Sequence, residues 1–239
     1  MKGREEAMVT EESTKKTPSG KFKIKVSKNG PYLVSGGVPL ARCTILTNTD
    51  GDSCDWRMEE KYPLQKNYAL CRCGQSSKKP FCDGTHLKVN FDGTETASHN
   101  SHLSQAREID GPTLKLIDAQ VFCASARFCH QAEGIWKLTP KSDKAEARKI
   151  AIEEEGNCPS GTLVLWDKKT DKAIEPEFEQ SIALVEDPHI GVSGPIWVRG
   201  GIPIESANGV PYEIRNRVTL CRCGKSLNKP FCDSSHYPD

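Results

Sequence analysis

Short alternating runs separated by glycine and proline set the rhythm of this chain. FKIKV, residues 22–26, alternates apolar and basic side chains, which turns successive residues to opposite faces of a strand. Asn29-Gly30-Pro31 follows as a turn signal. GPYLVSGGVPL, residues 30–40, reads as a glycine- and proline-bounded strand, and it has an echo in GPIWVRGGIPI, residues 194–204. TLKLIDAQ (113–120), TLVLWD (162–167), SIALVED (181–187) and RNRVTL (215–220) read as further strands. One stretch changes period: Ala147, Ile150 and Ala151 share a helical face, Asp143 to Glu146 forms a capping-box pattern, and Gly156 supplies a stop.

The echo belongs to a longer duplication. CRCGQSSKKPFCDGTH, residues 71–86, recurs as CRCGKSLNKPFCDSSH, residues 221–236, and both read C-x-C-x8-C-x3-H. Tyr62 precedes Cys71 by nine residues, as Tyr212 precedes Cys221. Between strand and tyrosine the copies differ: residues 41–61 of the first stand against 205–211 of the second, an insertion of 14 residues that carries Cys43 and Cys54. These two, without a histidine at ligand spacing, read as ordinary thiols.

The spacing has chemical content. Cys71 and Cys73, or Cys221 and Cys223, are two apart, so an extended backbone points both sulfurs the same way and they can share one metal. Cys82 and His86, or Cys232 and His236, are four apart, so a helical turn begun at Asp83 or Asp233 brings sulfur and imidazole together on a second metal. Pro80 and Pro230 stiffen the approach to the third cysteine.

Both copies resemble the CDGSH (NEET-type) iron–sulfur motif. The resemblance covers the ligands, the proline, the Cys-Asp pair and the terminal histidine, and it implies one three-Cys, one-His [2Fe–2S] cluster per motif. Thr85 and Ser234 depart from the family's letters, Ser234 standing where Gly is usual. Zinc is the alternative for three Cys and one His, but structural zinc sites pair their ligands as C-x2–4-C, and the single-residue gap favours iron–sulfur. Disulfides would leave the paired histidines unexplained.

Composition fits this picture. A hydrophobic content of 36%, with 15 Pro and 19 Gly, indicates short elements and many turns pinned by metal. Eleven cysteines are too many for chance, and six of them fall in the two motifs. A net charge of +1 with interleaved signs gives no nucleic-acid surface and no membrane patch. No apolar leader or spanning segment is read, so the expected location is the cytoplasm.

The middle of the chain offers a third candidate. Cys123 and Cys129, followed by Cys158 in CPSG, resemble the cysteine pattern of [3Fe–4S] ferredoxins and of the divergent ferredoxin-like domain that accompanies CDGSH motifs. Three thiolates suit a three-iron cluster. A four-iron cluster needs a fourth ligand, for which His130 is the one neighbour. The competing reading is a metal-free domain that keeps its cysteines as buried apolar residues.

The expected chain is therefore α+β. It has a tail (1–20), a first repeat (21–90), a linker (91–110) with solvent-exposed His99 and His102, a ferredoxin-like domain (111–189) in which Trp136 and Trp166 serve as core aromatics, and a second repeat (190–239). Since a single-motif member of the family pairs with a second copy, two motifs in one chain build a pseudo-dimer internally. The expected role is electron or cluster transfer, without enzymatic chemistry, to a redox protein or an apo-protein acceptor. A redox- or iron-sensing interaction protein is the alternative. Sedimentation of the full-length chain should give a monomer, and a tight dimer would count against the internal pairing.

Overall fold

The computed structural model describes residues 21–238. The expected disordered tail lies outside the described residues. The fold is mixed α+β, rich in strand, with three sheets.

The first repeat begins with β1 (Lys23–Val26) and β2 (Tyr32–Ser35), which pair antiparallel. Ile24 and Val26 of β1 point inward together with Tyr32 and Val34 of β2, as the alternation requires. Asn29 makes the turn at φ 48°, in the left-handed region that asparagine tolerates. The chain continues into β3 (Leu40–Thr47) and β4 (Ser53–Lys61), and returns through β5 (Asn67–Leu70), which pairs with β2. A one-turn helix, α1 (Thr85–Lys88), closes the first motif.

The middle domain is an antiparallel sheet in the order of its own chain. Its strands are β6 (Arg107–Asp110), β7 (Leu114–Asp118), β8 (Leu163–Asp167) and β9 (Lys172–Ile174). Between β7 and β8 come α2 (Ile135–Leu138) and α3 (Ala145–Gly156). Leu114, Leu116, Ile135, Leu138, Ala147, Ala151, Leu163 and Leu165 form the core. Burying one such leucine or isoleucine contributes about 1.5–3 kcal/mol. The helix ends at Gly156 as its sequence indicates, but Lys144 occupies the N-cap and no side chain caps it, so the capping box does not form. Trp136 and Trp166 are half-buried.

The second repeat contains β10 (Ser181–Asp187), β11 (Val192–Arg199), β12 (Ile204–Glu205) and β13 (Arg217–Leu220). Each repeat lends a strand to the other. β12 joins the first repeat's sheet, parallel to β1 with Ile24 opposite Ile204, in the order β12-β1-β2-β5. β3 joins the second repeat's sheet, parallel to β10 with Ile182 opposite Leu40, in the order β13-β11-β10-β3-β4. One hydrogen bond recurs in both repeats: Tyr62 donates its N–H to the Leu40 carbonyl, and Tyr212 donates to the equivalent Ile204 carbonyl, both at 2.9 Å. The insertion is thus a hairpin that prolongs β3 and adds β4.

Two expectations about boundaries are corrected. Residues 181–187 were expected within the middle domain (111–189), but they form β10, central in the second repeat's sheet. Nothing in SIALVED reveals its partner, because a run buried on both faces fits either sheet. The linker (91–110) is not free chain. Thr96 and Ala97 donate backbone N–H groups to the Lys229 carbonyl, Glu95 accepts from the Tyr212 hydroxyl at 2.9 Å, and residues 107–110 form β6. His99 is exposed as expected and stacks on Tyr212, whereas His102 is buried, 3.2 Å from the Thr162 carbonyl.

Arg217 of β13 fastens the middle domain to the second repeat. It is fully buried, pairs with Glu155 and with Glu175 at 3.1 Å, and donates Nε–H to the Cys158 carbonyl at 2.7 Å. The neighbouring Glu154 is buried with no hydrogen-bond partner for either carboxyl oxygen, and burial pushes its carboxyl up to about 8. The unfolded chain releases that proton near the ordinary carboxylate pKa, so folding stability should fall as pH rises from about 4.5 to about 8. Glu154→Gln should flatten that decline and stabilise the protein at pH 8, as read by denaturant midpoints at pH 5 and pH 8; equal slopes in both proteins would contradict this.

Candidate metal centres

Each motif hangs from the last strand of its repeat. β5 ends at Leu70 and delivers Cys71; β13 ends at Leu220 and delivers Cys221. The motif then folds back on that strand. Cys71 donates its N–H to the Pro80 carbonyl at 2.8 Å and Cys82 donates to the Ala69 carbonyl at 2.9 Å; Cys221 to Pro230 and Cys232 to Thr219 repeat the pattern at 2.9 Å each. These bonds bring the first and third cysteines side by side despite the ten residues between them. The Lys79-Pro80 and Lys229-Pro230 bonds are both cis.

The predicted ligands come together in pairs. Cys71 and Cys73 sulfurs are 3.8 Å apart, and Cys221 and Cys223 sulfurs 3.6 Å. Cys82 Sγ lies 3.3 Å from His86 Nδ1, and Cys232 Sγ 3.4 Å from His236 Nδ1. Two ligands on one tetrahedral metal, with metal–sulfur near 2.3 Å and metal–nitrogen near 2.0–2.1 Å, stand roughly 3.8 Å (S···S) or 3.6 Å (S···N) apart. All eleven cysteines are free, and these separations are far beyond the ~2.05 Å of a disulfide. Among the described residues no three His, Cys, Asp or Glu side chains converge as a single ion requires. Two pairs per motif suit a two-metal cluster whose bridging sulfides complete each tetrahedron.

Aspartates shape the histidine turn. Asp83 accepts from Thr85 N–H at 3.0 Å and from the Ser77 N–H and hydroxyl at 2.8 Å each, and Asp233 accepts from Ser235 and Leu227. The hydrogen bonds from Thr85 and Ser77 hold the Asp83 carboxyl well below the usual carboxylate range. Cys71, Cys73, Cys221 and Cys232 are buried, while both histidines keep part of their surface in solvent. The two motifs abut. Gly74 (φ 73°) packs so closely on the second motif that a Cβ there would stand 2.6 Å from the Cys223 carbonyl oxygen, and one on Gly224 (φ 81°) 2.7 Å from that of Cys73.

Some residues of these sites escape the ligand pattern. The Tyr32 hydroxyl, from the first repeat, lies 2.7 Å from the Cys221 carbonyl and 2.9 Å from that of Pro230. Its counterpart in the echo is Ile196, so the polar atom on one copy only was the available signal. Both motifs read C-R-C. Arg222 donates to the carbonyls of Gly194 and Val185 and pairs with Glu186 at 2.9 Å. Arg72 is buried over the rings of Tyr32 and Phe91, with Nε and Nη2 unpartnered.

Cys123, Cys129 and Cys158 face one cavity of about 240 Å³, far above the ~10–15 Å³ that a single water needs. Cys123 follows a short 3-10 turn, Cys129 sits in a second such turn, and Cys158 follows α3. Burial, and then the other two sulfurs, push the Cys129 thiol well above its ordinary value, and burial raises that of Cys123. A cationic metal–sulfide core would reverse that penalty, so the donor set fits a cluster. Ala126, between the two cysteines, is buried, and His130 stands at the cavity wall, 5.5 Å from the Trp136 ring. Cys43 lies apart, buried with Trp197 and Phe128, its thiol pushed up to about 12 by burial, and Cys54 is exposed on β4.

Residues 29–87 and 193–237 match the family described as iron-binding zinc finger CDGSH type. Residues 109–168 match the family described as divergent 4Fe-4S mono-cluster. No curated protein and no solved structure matches the chain. The CDGSH match implies [2Fe–2S] binding at the two motifs. The middle match corrects the [3Fe–4S] expectation to a 4Fe–4S-type cluster, because three cysteines do not fix the iron count when a fourth iron takes another ligand. The chain thus carries two motifs of the iron-binding CDGSH zinc-finger type, which flank a divergent 4Fe–4S mono-cluster domain.

Proposed function

We propose that this chain is an iron–sulfur carrier that passes electrons or clusters to a partner protein, with no catalytic chemistry of its own. The observation that carries the reading is the pairing of ligand atoms at 3.3–3.8 Å in both motifs. Cys71 and Cys73 hold one iron of the first site and Cys82 and His86 the other; Cys221 and Cys223, and Cys232 and His236, do the same in the second. A three-Cys, one-His [2Fe–2S] centre supplies a one-electron couple with a potential between roughly −400 mV and the two-His range of about −150 to +300 mV.

The protein's part is to shape and shield these sites. Strand exchange between the repeats supplies within one chain what a pair of single-motif chains would supply together, so the working unit is a monomer. Cys123, Cys129 and Cys158 hold a third cluster in the middle domain, which is of ferredoxin-like type, with His130 as the candidate fourth ligand. The cytoplasm is the proposed compartment; no helix among the described residues is long and apolar enough to cross a membrane. Leu87 and Val89 beside His86, and Leu227 in the second motif, are exposed apolar side chains next to the sites, where a partner can dock. The same exposure favours a second reading, in which the clusters regulate partner binding. Fast reversible reduction by a reductase supports the carrier, and redox-dependent partner capture with poor electron exchange supports the sensor.

Both histidines are reachable by protons, and a protonated imidazole cannot bind iron. Loss of visible absorbance should accelerate as pH falls, by up to about tenfold per pH unit once protonation competes with iron. His86→Cys and His236→Cys should each remove one nitrogen-coupled resonance signal and flatten the acid loss at their own site. Loss rates equal to wild type would remove the argument.

A further inference from the structure

Two of the departures between the CDGSH copies meet the same segment of the middle domain. One is the insertion in the first copy. Its Trp56 stacks on Phe128 at 4.7 Å between ring centroids and donates its indole N–H to the Asn157 carbonyl at 3.2 Å. Gln131 Nε2 donates to the Ser53 carbonyl at 2.9 Å. The Cys123–Cys129 loop is thereby held from one side.

The other departure is Ser234, which stands where the first copy has Gly84. Ser234 adopts φ 75°, in the left-handed region that disfavours any residue with a Cβ. Gly84 adopts φ 86° without that cost, and a Cβ there would meet nothing within 4 Å. Around Ser234 the surroundings are quite different. Its hydroxyl donates to the Cys123 carbonyl at 2.8 Å and accepts from the Ser125 hydroxyl at 2.7 Å. One residue of the second motif, two along from the ligand Cys232, thus touches the backbone of a middle-site ligand.

Neighbouring contacts hold the same join. Asn228 Nδ2 donates to the Val121 carbonyl at 3.0 Å, Phe231 meets Phe122 edge-on at 5.3 Å, and Arg127 pairs with Asp187 at 2.7 Å. Among the described residues no hydrogen bond links the Cys123–Cys129 loop to the first motif, residues 71–86.

We propose that Ser234 is a positioning residue that seats the Cys123 loop on the second CDGSH site, so that the middle site exchanges electrons with the second site and reaches the first only through it. This rests on the reading that Cys123, Cys129 and Cys158 hold a cluster. In the step, the middle site is oxidised by one electron and the second site is reduced by one. No bond breaks and no proton moves; the electron enters the chain from a one-electron donor. From the second site it continues across the contact of Cys223-Gly224 with Cys73-Gly74.

The test uses the full-length protein with its clusters and compares wild type with Ser234→Gly, which keeps the left-handed turn and removes the hydroxyl. Photoreduced deazaflavin delivers less than one electron per chain, and redistribution between the sites is followed optically. Removal of the hydroxyl should slow redistribution by about tenfold, the weight of one hydrogen bond on the docked population, with iron content and melting unchanged. An unchanged rate would overturn the role of Ser234. Ser125→Ala, which leaves position 234 intact, should slow the same step, and serves if Ser234→Gly loads iron poorly; an unchanged rate there would equally overturn the role.

The order of the sites is read separately. In the fully reduced wild type, one of the two histidine-ligated resonances should relax faster than the other, and His236→Cys should alter the line shape of the fast one. Equal relaxation, or a fast signal altered by His86→Cys instead, would overturn the proposed order. An iron content of four per chain would overturn the underlying reading of the middle site, and the inference with it.

Discussion

The exchange of one strand between the two repeats is the constraint on which the sites depend. β3 completes the second repeat's sheet beside β10, and β12 completes the first repeat's sheet beside β1. Neither sheet is whole without the other copy. The exchange encloses a shared core in which Ile24, Val34, Ile182, Leu184 and Leu220 are all buried. It also fixes the motifs relative to one another, because each motif leaves directly from a strand of these sheets. The close packing of Gly74 on Cys223 and of Gly224 on Cys73 follows from that geometry, and it tolerates no side chain at either glycine.

Within this symmetric frame the asymmetries concentrate on one side. Through strand exchange the first repeat's insertion lies on the second repeat's sheet, where Trp56 and Trp197 pack against Phe128 of the middle domain. Arg217 and Ser234 add the second repeat's own fastenings to Cys158 and Cys123. The middle domain is therefore seated on the second motif, although it lies between the two in sequence. Arg217 illustrates the energetics. Its pair with Glu155 is buried, so losing either partner strands a charge and costs about 3–5 kcal/mol, whereas the intact pair need not outdo an apolar contact.

Much of the site was legible in the sequence because ligand spacing is local. Two cysteines two apart, and a cysteine and histidine four apart, meet by backbone geometry alone, and the echo of residues 30–40 in 194–204 announced the repeat. What escaped was non-local. SIALVED carries no mark of its partner, so the expected range 111–189 for the middle domain takes in a strand of the second repeat's sheet. His102 sits in a Ser/Asn-rich stretch that looks exposed, yet the stretch docks on the second repeat and buries it. Ser234 was visible as a departure from the family's glycine, but the hydroxyl's partner, Cys123, lies 111 residues away. The iron count of the middle site was not readable either, since three cysteines serve three-iron and four-iron clusters alike.

On the proposed reading, one chain holds two CDGSH-type clusters and a third in the domain between them. An anaerobic count of iron, acid-labile sulfide and zinc on the full-length protein tests it most directly. Four irons from the CDGSH pair and four from the middle site, with equal sulfide and no zinc, is the expected result. Zinc without sulfide would contradict the claim altogether, and four irons in all would remove the third cluster.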